Sequence, residues 1–117
     1  KGTPLFGLPG NPVSSHVVFI ALVAPWMSHC MEAHPELGPK LAEKVKVKLV
    51  DSVRGARGRL CMRRIMIKPA GDGLSASVHT HQGSGNIHSM VAHNGLTLLP
   101  PDTDAEAGDT IDALWLR

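Results

Sequence analysis

The sequence predicts two parts in succession, a short strand with a long apolar helix and then a small all-β barrel or sandwich. Three observations predict it. Residues 12–32 carry apolar side chains on nearly every face of a helix, among them Val13, Val17, Val18, Phe19, Ile20, Leu22 and Val23. Residues 32–40, EAHPELGPK, hold two prolines and a glycine and read as a linker. From residue 44 onward the hydrophobic period drops to two, which marks strands.

Taken in order, residues 4–8 (PLFGL) are an apolar run bounded by Gly and Pro, expected as a buried strand. The helix follows from Pro12 to about Glu32. Pro25 lacks an N–H and should kink or restart that helix near Ala24. In KVKVKLV (44–50), Val45, Val47 and Leu49 share one face and Lys44, Lys46 and Lys48 the other, as in a half-buried strand. RGARGR (54–59) is a turn-rich loop, and LCMRRIMIK (60–68) a second strand with a bulge expected at Arg63 and Arg64. PAGDG (69–73) turns the chain into LSASVH (74–79). GLTLLP (95–100) and TIDALWL (110–116) complete the set of short strands.

The 117 residues, 43% of them hydrophobic, suffice for one ordinary domain or for a small domain and a piece of another. An apolar segment begins almost at once after Lys1, so the chain reads as part of something longer. The apolar helix also needs cover on several sides that residues 1–38 do not provide, and is expected to meet another copy or to leave a large patch exposed. Cys30 and Cys61 stand far apart with no metal or redox spacing. Two thiols so placed point to a reducing, cytoplasmic setting, with a single disulfide between them left open. The longest apolar run, 17–27, is short for a bilayer and interrupted by Pro25, so no membrane span is expected.

The stretch FGLPGNPVSS (6–15) is the first candidate site. Gly7 and Gly10 permit positive φ and close backbone approach. Asn11 followed by Pro12 reads as an N-cap and a first helical residue whose missing N–H costs nothing. Ser14 and Ser15 then fall in the first turn, beside amides that suit an anion. A well-capped connection with no ligand has the same signature. HQGSGN (81–86) is the second candidate, a flexible loop that suits a phosphate or a hairpin equally.

Residues 40–68 hold ten of the twelve basic residues, and residues 102–112 hold five acids and no base. A basic stripe on a small β-domain is one footprint of nucleic-acid binding. The ordinary reading, a solvated strand face paired with the acidic tail, is preferred, because the chain has no Tyr and two Phe for base stacking. His79, His81, His88 and His93 lack the acid or Cys partners of a recognisable zinc set. Surface or half-buried histidines account for them.

Read together, PLFGLPGNPVSS, the helix with Pro25, GRLCMRR, HQGSGNIHSM and NGLTLLP followed by AGDTIDALWL resemble the C-terminal part of the MoeA family. These are molybdopterin molybdenumtransferases related to the gephyrin E domain. The resemblance covers essentially the whole chain in order, with GLPGNPVS its most specific element.

That resemblance implies a fold and an activity. Residues 1–38 would be the last strand and helix of an α/β molybdopterin-binding domain, and residues 39–117 a C-terminal β-barrel domain. The parent would insert molybdate into adenylylated molybdopterin and release AMP with the help of Mg2+, as a cytoplasmic homodimer, with a molybdopterin adenylyltransferase as a further partner. No nucleic acid and no membrane are expected. Residue by residue, the family's loop falls on Pro9, Gly10, Asn11 and Pro12 with Ser14 beside them, and its QGS segment on Gln82 and Ser84. In the family these line a cleft for the pterin phosphate. The family's acidic metal ligands and active-site lysines fall before Lys1, so residues 1–117 alone are expected to be inactive. His16 departs from the family's usual apolar or small residue. The rival readings are a non-catalytic interaction module, as in the gephyrin branch, and a basic nucleic-acid-binding barrel.

Overall fold

In the computed structural model the described residues are 2–78 and 92–116. They divide into two compact units, residues 2–41 and residues 42–78 with 92–116. The architecture is a helix followed by a closed barrel, as the sequence predicts.

The helical part is continuous from Pro12 to Cys30 but changes pitch twice. Helix α1 (Pro12–Val18) passes into a π-helical turn at Phe19–Val23 and then into α2 (Ala24–Cys30). Pro25 stands in the first turn of α2, where its missing N–H is tolerated, and the wide turn lies just before it. The expected restart at Ala24 is present as this change of pitch. A 3₁₀ turn, Pro35–Leu37, follows within the linker-like segment.

The expected strand over residues 4–8 does not form. Those residues pair in no sheet, and Leu5 is 95% exposed. A strand needs a neighbour to take its backbone donors and acceptors, and all the sheet pairings described lie beyond residue 42.

In the second unit the alternating pattern does fold as strands: β1 (Glu43–Leu49), β2 (Arg64–Ala70), β3 (Gly73–Val78), β4 (Gly95–Thr97) and β5 (Thr110–Trp115). They close in the order β1-β3-β2-β4-β5, with β5 returning to β1. Among the described strands only β1 and β3 pair in parallel. A barrel of so few strands has a narrow interior, and the register sets small residues between large ones. Ala76 faces Leu49 on one side and Ile67 on the other, and all three are buried. Ala113 lies likewise between Val45 and Thr97. Val47, Ile65 and Leu99 fill the rest, each contributing about 1.5–3 kcal/mol by burial. Gly71, with φ 61°, opens the two-residue loop between β2 and β3, at the position where a type II′ turn requires one.

The bulge expected at Arg63 and Arg64 is absent. Cys61 faces Leu99 and Arg64 faces Leu96, three residues on along both strands, so no residue is inserted. The ladder is instead interrupted by a side chain. The buried Thr97 hydroxyl accepts from the Arg63 amide at 2.8 Å and donates to the Cys61 carbonyl at 3.1 Å. That substitutes a hydroxyl for one backbone carbonyl and leaves the register unchanged.

Candidate functional site

The loop before α1 is built on Asn11. Its backbone is extended (φ −71°, ψ 124°), and its side-chain oxygen accepts from the amides of Val13 at 3.0 Å and Ser14 at 3.3 Å. Pro12 follows as the first helical residue, and the Ser15 amide donates to the Asn11 carbonyl at 2.9 Å. The capping predicted from Asn11-Pro12 is thus present in full.

One consequence runs against expectation. The first-turn amides are not left for an anion, because Val13, Ser14 and Ser15 all donate to Asn11 and Pro12 has none to offer. The glycines differ from expectation as well. Gly7 and Gly10 are not among the residues of positive φ, and a Cβ on either would meet nothing within 4 Å. They make no close approach that would require glycine. What stiffens the loop is proline at both ends, with the Ser15 hydroxyl donating to the Pro9 carbonyl between them. Pro9, Gly10 and Pro12 are exposed, while Asn11 and Ser14 are half-buried.

The structure therefore brings Pro9, Gly10, Asn11, Pro12 and Ser14 into one turn of chain. Gln82 and Ser84 lie outside the described residues, as do His79, His81 and His88. His93 is buried, and His16 sits half-buried in the last turn of α1. Among the described residues no group of three or more His, Cys, Asp or Glu is placed to hold a metal. Cys30 and Cys61 are both free thiols, the first exposed and the second buried.

One contact was not legible in the sequence. The Phe6 ring meets the Trp26 ring edge-on, with centroids 5.2 Å apart and planes at 60°.

On the barrel the charge layout resolves into local pairs. Lys46 across from Asp112 forms an ion pair at 2.9 Å, and Lys44 reaches the same carboxylate at 3.5 Å. The hydrogen bond from Lys46, with the charge of Lys44 behind it, holds the Asp112 carboxyl below its ordinary pKa. The preferred pairing of strand lysines with the acidic tail is present there. The other acids do something different. Asp104 accepts from the Gly55 amide at 2.8 Å and Asp102 from the Gly58 amide at 3.1 Å. They pin the RGARGR loop by its backbone. A hollow of about 560 Å³ beside it is lined by Arg54, Arg57, Asp102 and Asp104, so an anion entering it meets carboxylates as well as guanidiniums. Arg64 is buried, and desolvation lowers its pKa from the ordinary arginine value.

The helical segment Pro12–Cys30 leaves Leu22 63% exposed, with Trp26 and Phe19 also open. By length and composition alone its 19 residues are enough to cross a membrane. The helix is longer than the apolar run 17–27 on which the sequence expectation rested. The core helix of a soluble protein passes the same test.

Comparison with known proteins adds the following. Residues 46–116 match the family model of the MoeA C-terminal region (domain IV). Among solved structures, the molybdopterin biosynthesis moeA protein from Pyrococcus horikoshii OT3 is similar at 26% identity and a TM-score of 0.67, over 91% of this chain and 26% of that one. A molybdenum cofactor biosynthesis protein from Pyrococcus furiosus is similar at 27% identity and a TM-score of 0.66, over 91% of this chain and 36% of that one. The chain thus spans about a quarter to a third of the length of these relatives.

Proposed function

The chain belongs to the MoeA family, and on that premise we propose that the protein carrying it works in molybdenum cofactor biosynthesis as a molybdopterin molybdenumtransferase. Adenylylated molybdopterin and molybdate are its substrates, and molybdenum-loaded cofactor and AMP its products. The match of residues 46–116 to the family's C-terminal region is the observation that carries the reading. Residues 1–38 serve as the end of the α/β molybdopterin-binding domain and 39–117 as the C-terminal β domain.

Within this reading, Pro9, Gly10, Asn11, Pro12 and Ser14, with Gln82 and Ser84, contact the phosphate end of the pterin. With the Val13, Ser14 and Ser15 amides engaged by Asn11, recognition falls to side chains. The Asn11 side-chain amide and the Ser14 hydroxyl supply the donors. The prolines hold those donors in place before the ligand arrives, which lowers the ordering cost of binding. Mg2+ is expected with the family, but the described residues do not supply a ligand set, and none of these binding steps passes through it. The protein acts as a cytoplasmic homodimer and receives its substrate from a molybdopterin adenylyltransferase.

The test is molybdate-dependent release of AMP from adenylylated molybdopterin by the full-length protein. Release above a no-protein control is expected, and residues 1–117 alone should give none. A full-length protein that binds the pterin phosphate without releasing AMP would leave the interaction-module reading in its place.

A further inference from the structure

We propose that Pro25 is a positioning residue for the Pro9–Ser14 loop, acting through the π turn it imposes on the helix and through the Phe6–Trp26 contact; the proposal rests on reading that loop as a pterin-phosphate contact.

Its first support is the turn itself. The Ala24 amide donates to the Phe19 carbonyl, a bond five residues back where an α-helix would use four. Pro25 has no N–H to donate to Ala21, and its ring would crowd that carbonyl in a regular α-helix. The wide turn directly before it takes up the misfit. A π turn adds one residue to the helix locally, so everything after it is rotated by about 100° relative to everything before it.

The second support is what that rotation places. Trp26 directly follows Pro25, and its ring meets Phe6, which lies three residues before Pro9 at the start of the loop. From Asn11 to Trp26 the helix rises by about 22 Å. From Phe6 back to Asn11 the chain can reach at most about 18 Å. The ring contact therefore requires residues 6–11 to run back along the helix toward Trp26, turning at Gly10 and Asn11, with the two side chains closing the remainder. Gly2, Thr3 and Pro4 line a hollow together with Trp26, which continues the same path. The segment is held at both ends, by the Phe6–Trp26 contact and by the Ser15 hydroxyl on the Pro9 carbonyl, so a rotation of Trp26 is passed to the loop. Turning Trp26 by one residue's worth would either part the rings or drag the loop, and in both cases the Asn11 and Ser14 donors lose their aim.

The test uses the full-length protein labelled with 5-fluorotryptophan, with the Trp26 resonance assigned by its loss in Trp26→Phe. Pro25→Ala should shift that resonance and leave the other tryptophan signals in place. It should also weaken binding of a pterin phosphate about tenfold, a loss of about 1.4 kcal/mol, at unchanged thermal stability of the barrel. Phe6→Leu, which leaves the helix untouched, should weaken binding in the same direction and covers the case in which Pro25→Ala does not fold. An unmoved Trp26 resonance in Pro25→Ala overturns the proposal. So does parent-like affinity in Phe6→Leu or in a folded Pro25→Ala. If the parent itself binds no pterin phosphate, the functional reading fails, and with it the positioning role, whereas a shifted resonance would still assign the π turn to Pro25.

Discussion

The side chain of Asn94 pairs with the backbone of Ile67 as another strand would, its oxygen accepting from the Ile67 amide at 2.6 Å and its NH2 donating to the Ile67 carbonyl at 2.9 Å. Its own amide donates to the Ile65 carbonyl at 3.2 Å, and its carbonyl accepts from the Leu116 amide at 2.7 Å. One residue thus extends the ladder beyond the short strand β4 and ties β2 to the end of β5.

Asn94→Ala should therefore destabilise the barrel by about 2–3 kcal/mol, because two backbone groups of a core strand lose their partner. Asn94→Asp should cost at least as much, since a carboxylate oxygen would replace the donor facing the Ile67 carbonyl. Urea unfolding of both variants measures this. Parent-like midpoints would show that water replaces the side chain without loss.

Two glycines of the barrel unit are there for space. A Cβ on Gly95 would lie 2.5 Å from Ile67 Cδ1 and 3.1 Å from the Leu114 carbonyl oxygen, and Ile67 is only 2% exposed. On Gly55 it would fall on the Thr103 carbonyl oxygen, which is backbone. Gly95→Ala and Gly55→Ala should each cost about 1–3 kcal/mol. Gly10→Ala, with open space around it, should change stability far less. Thermal melts of the three variants would expose any reversal of that order.

Asn11→Ala removes the acceptor of two first-turn amides and should cost the helix about 1 kcal/mol. Pro12→Gly keeps the loop's length and should cost about 1 kcal/mol through added unfolded-state freedom. Both should weaken pterin-phosphate binding several-fold in the full-length protein, read by calorimetric titration. Equal affinity in folded variants would make the loop a connector only.

Asp112 gives a pH dependence with a definite sign. Its carboxyl titrates below the ordinary value of 3.8, chiefly through the hydrogen bond from Lys46. A depressed folded pKa stabilises the fold above the unfolded pKa, and the benefit is lost as pH falls through the folded value. The stability difference between the parent and Asp112→Asn should thus be present at neutral pH and shrink below about pH 3.8. Denaturant curves between pH 7 and pH 2.5 check it. A difference that stays constant through that range would mean that the pairing of Asp112 with Lys46 and Lys44 has no net effect.

Local chemistry was enough for much of this protein. The alternation in KVKVKLV, the turn at PAGDG and the Asn11-Pro12 cap each concern neighbours a few residues apart, and such preferences act whatever the rest of the chain does. The resemblance carried by GLPGNPVS and QGS named the family from residues alone. Of the site itself, the sequence placed Pro9 to Ser14 in one loop and first helical turn, but it left open where the donors would point. Asn11 answered that by taking the amides for itself, a choice between two acceptors that sequence spacing does not distinguish.

What the tertiary structure alone decided depends on groups far apart in the chain. Whether PLFGL became a strand depended on a neighbour to pair with, and apolar composition does not supply one. The Arg63 bulge gave way to an unbroken register because Thr97, on another strand, offered a hydroxyl where a carbonyl was due. The acidic tail divided its carboxylates between lysines and loop amides according to which the barrel's closure brought within reach. Sequence by itself determined which segments prefer to be helix or strand and which faces are apolar, because those preferences are local. Closure of the barrel decided the partners, because hydrogen bonds and charges act over a few ångströms and only the fold sets which residues come that near.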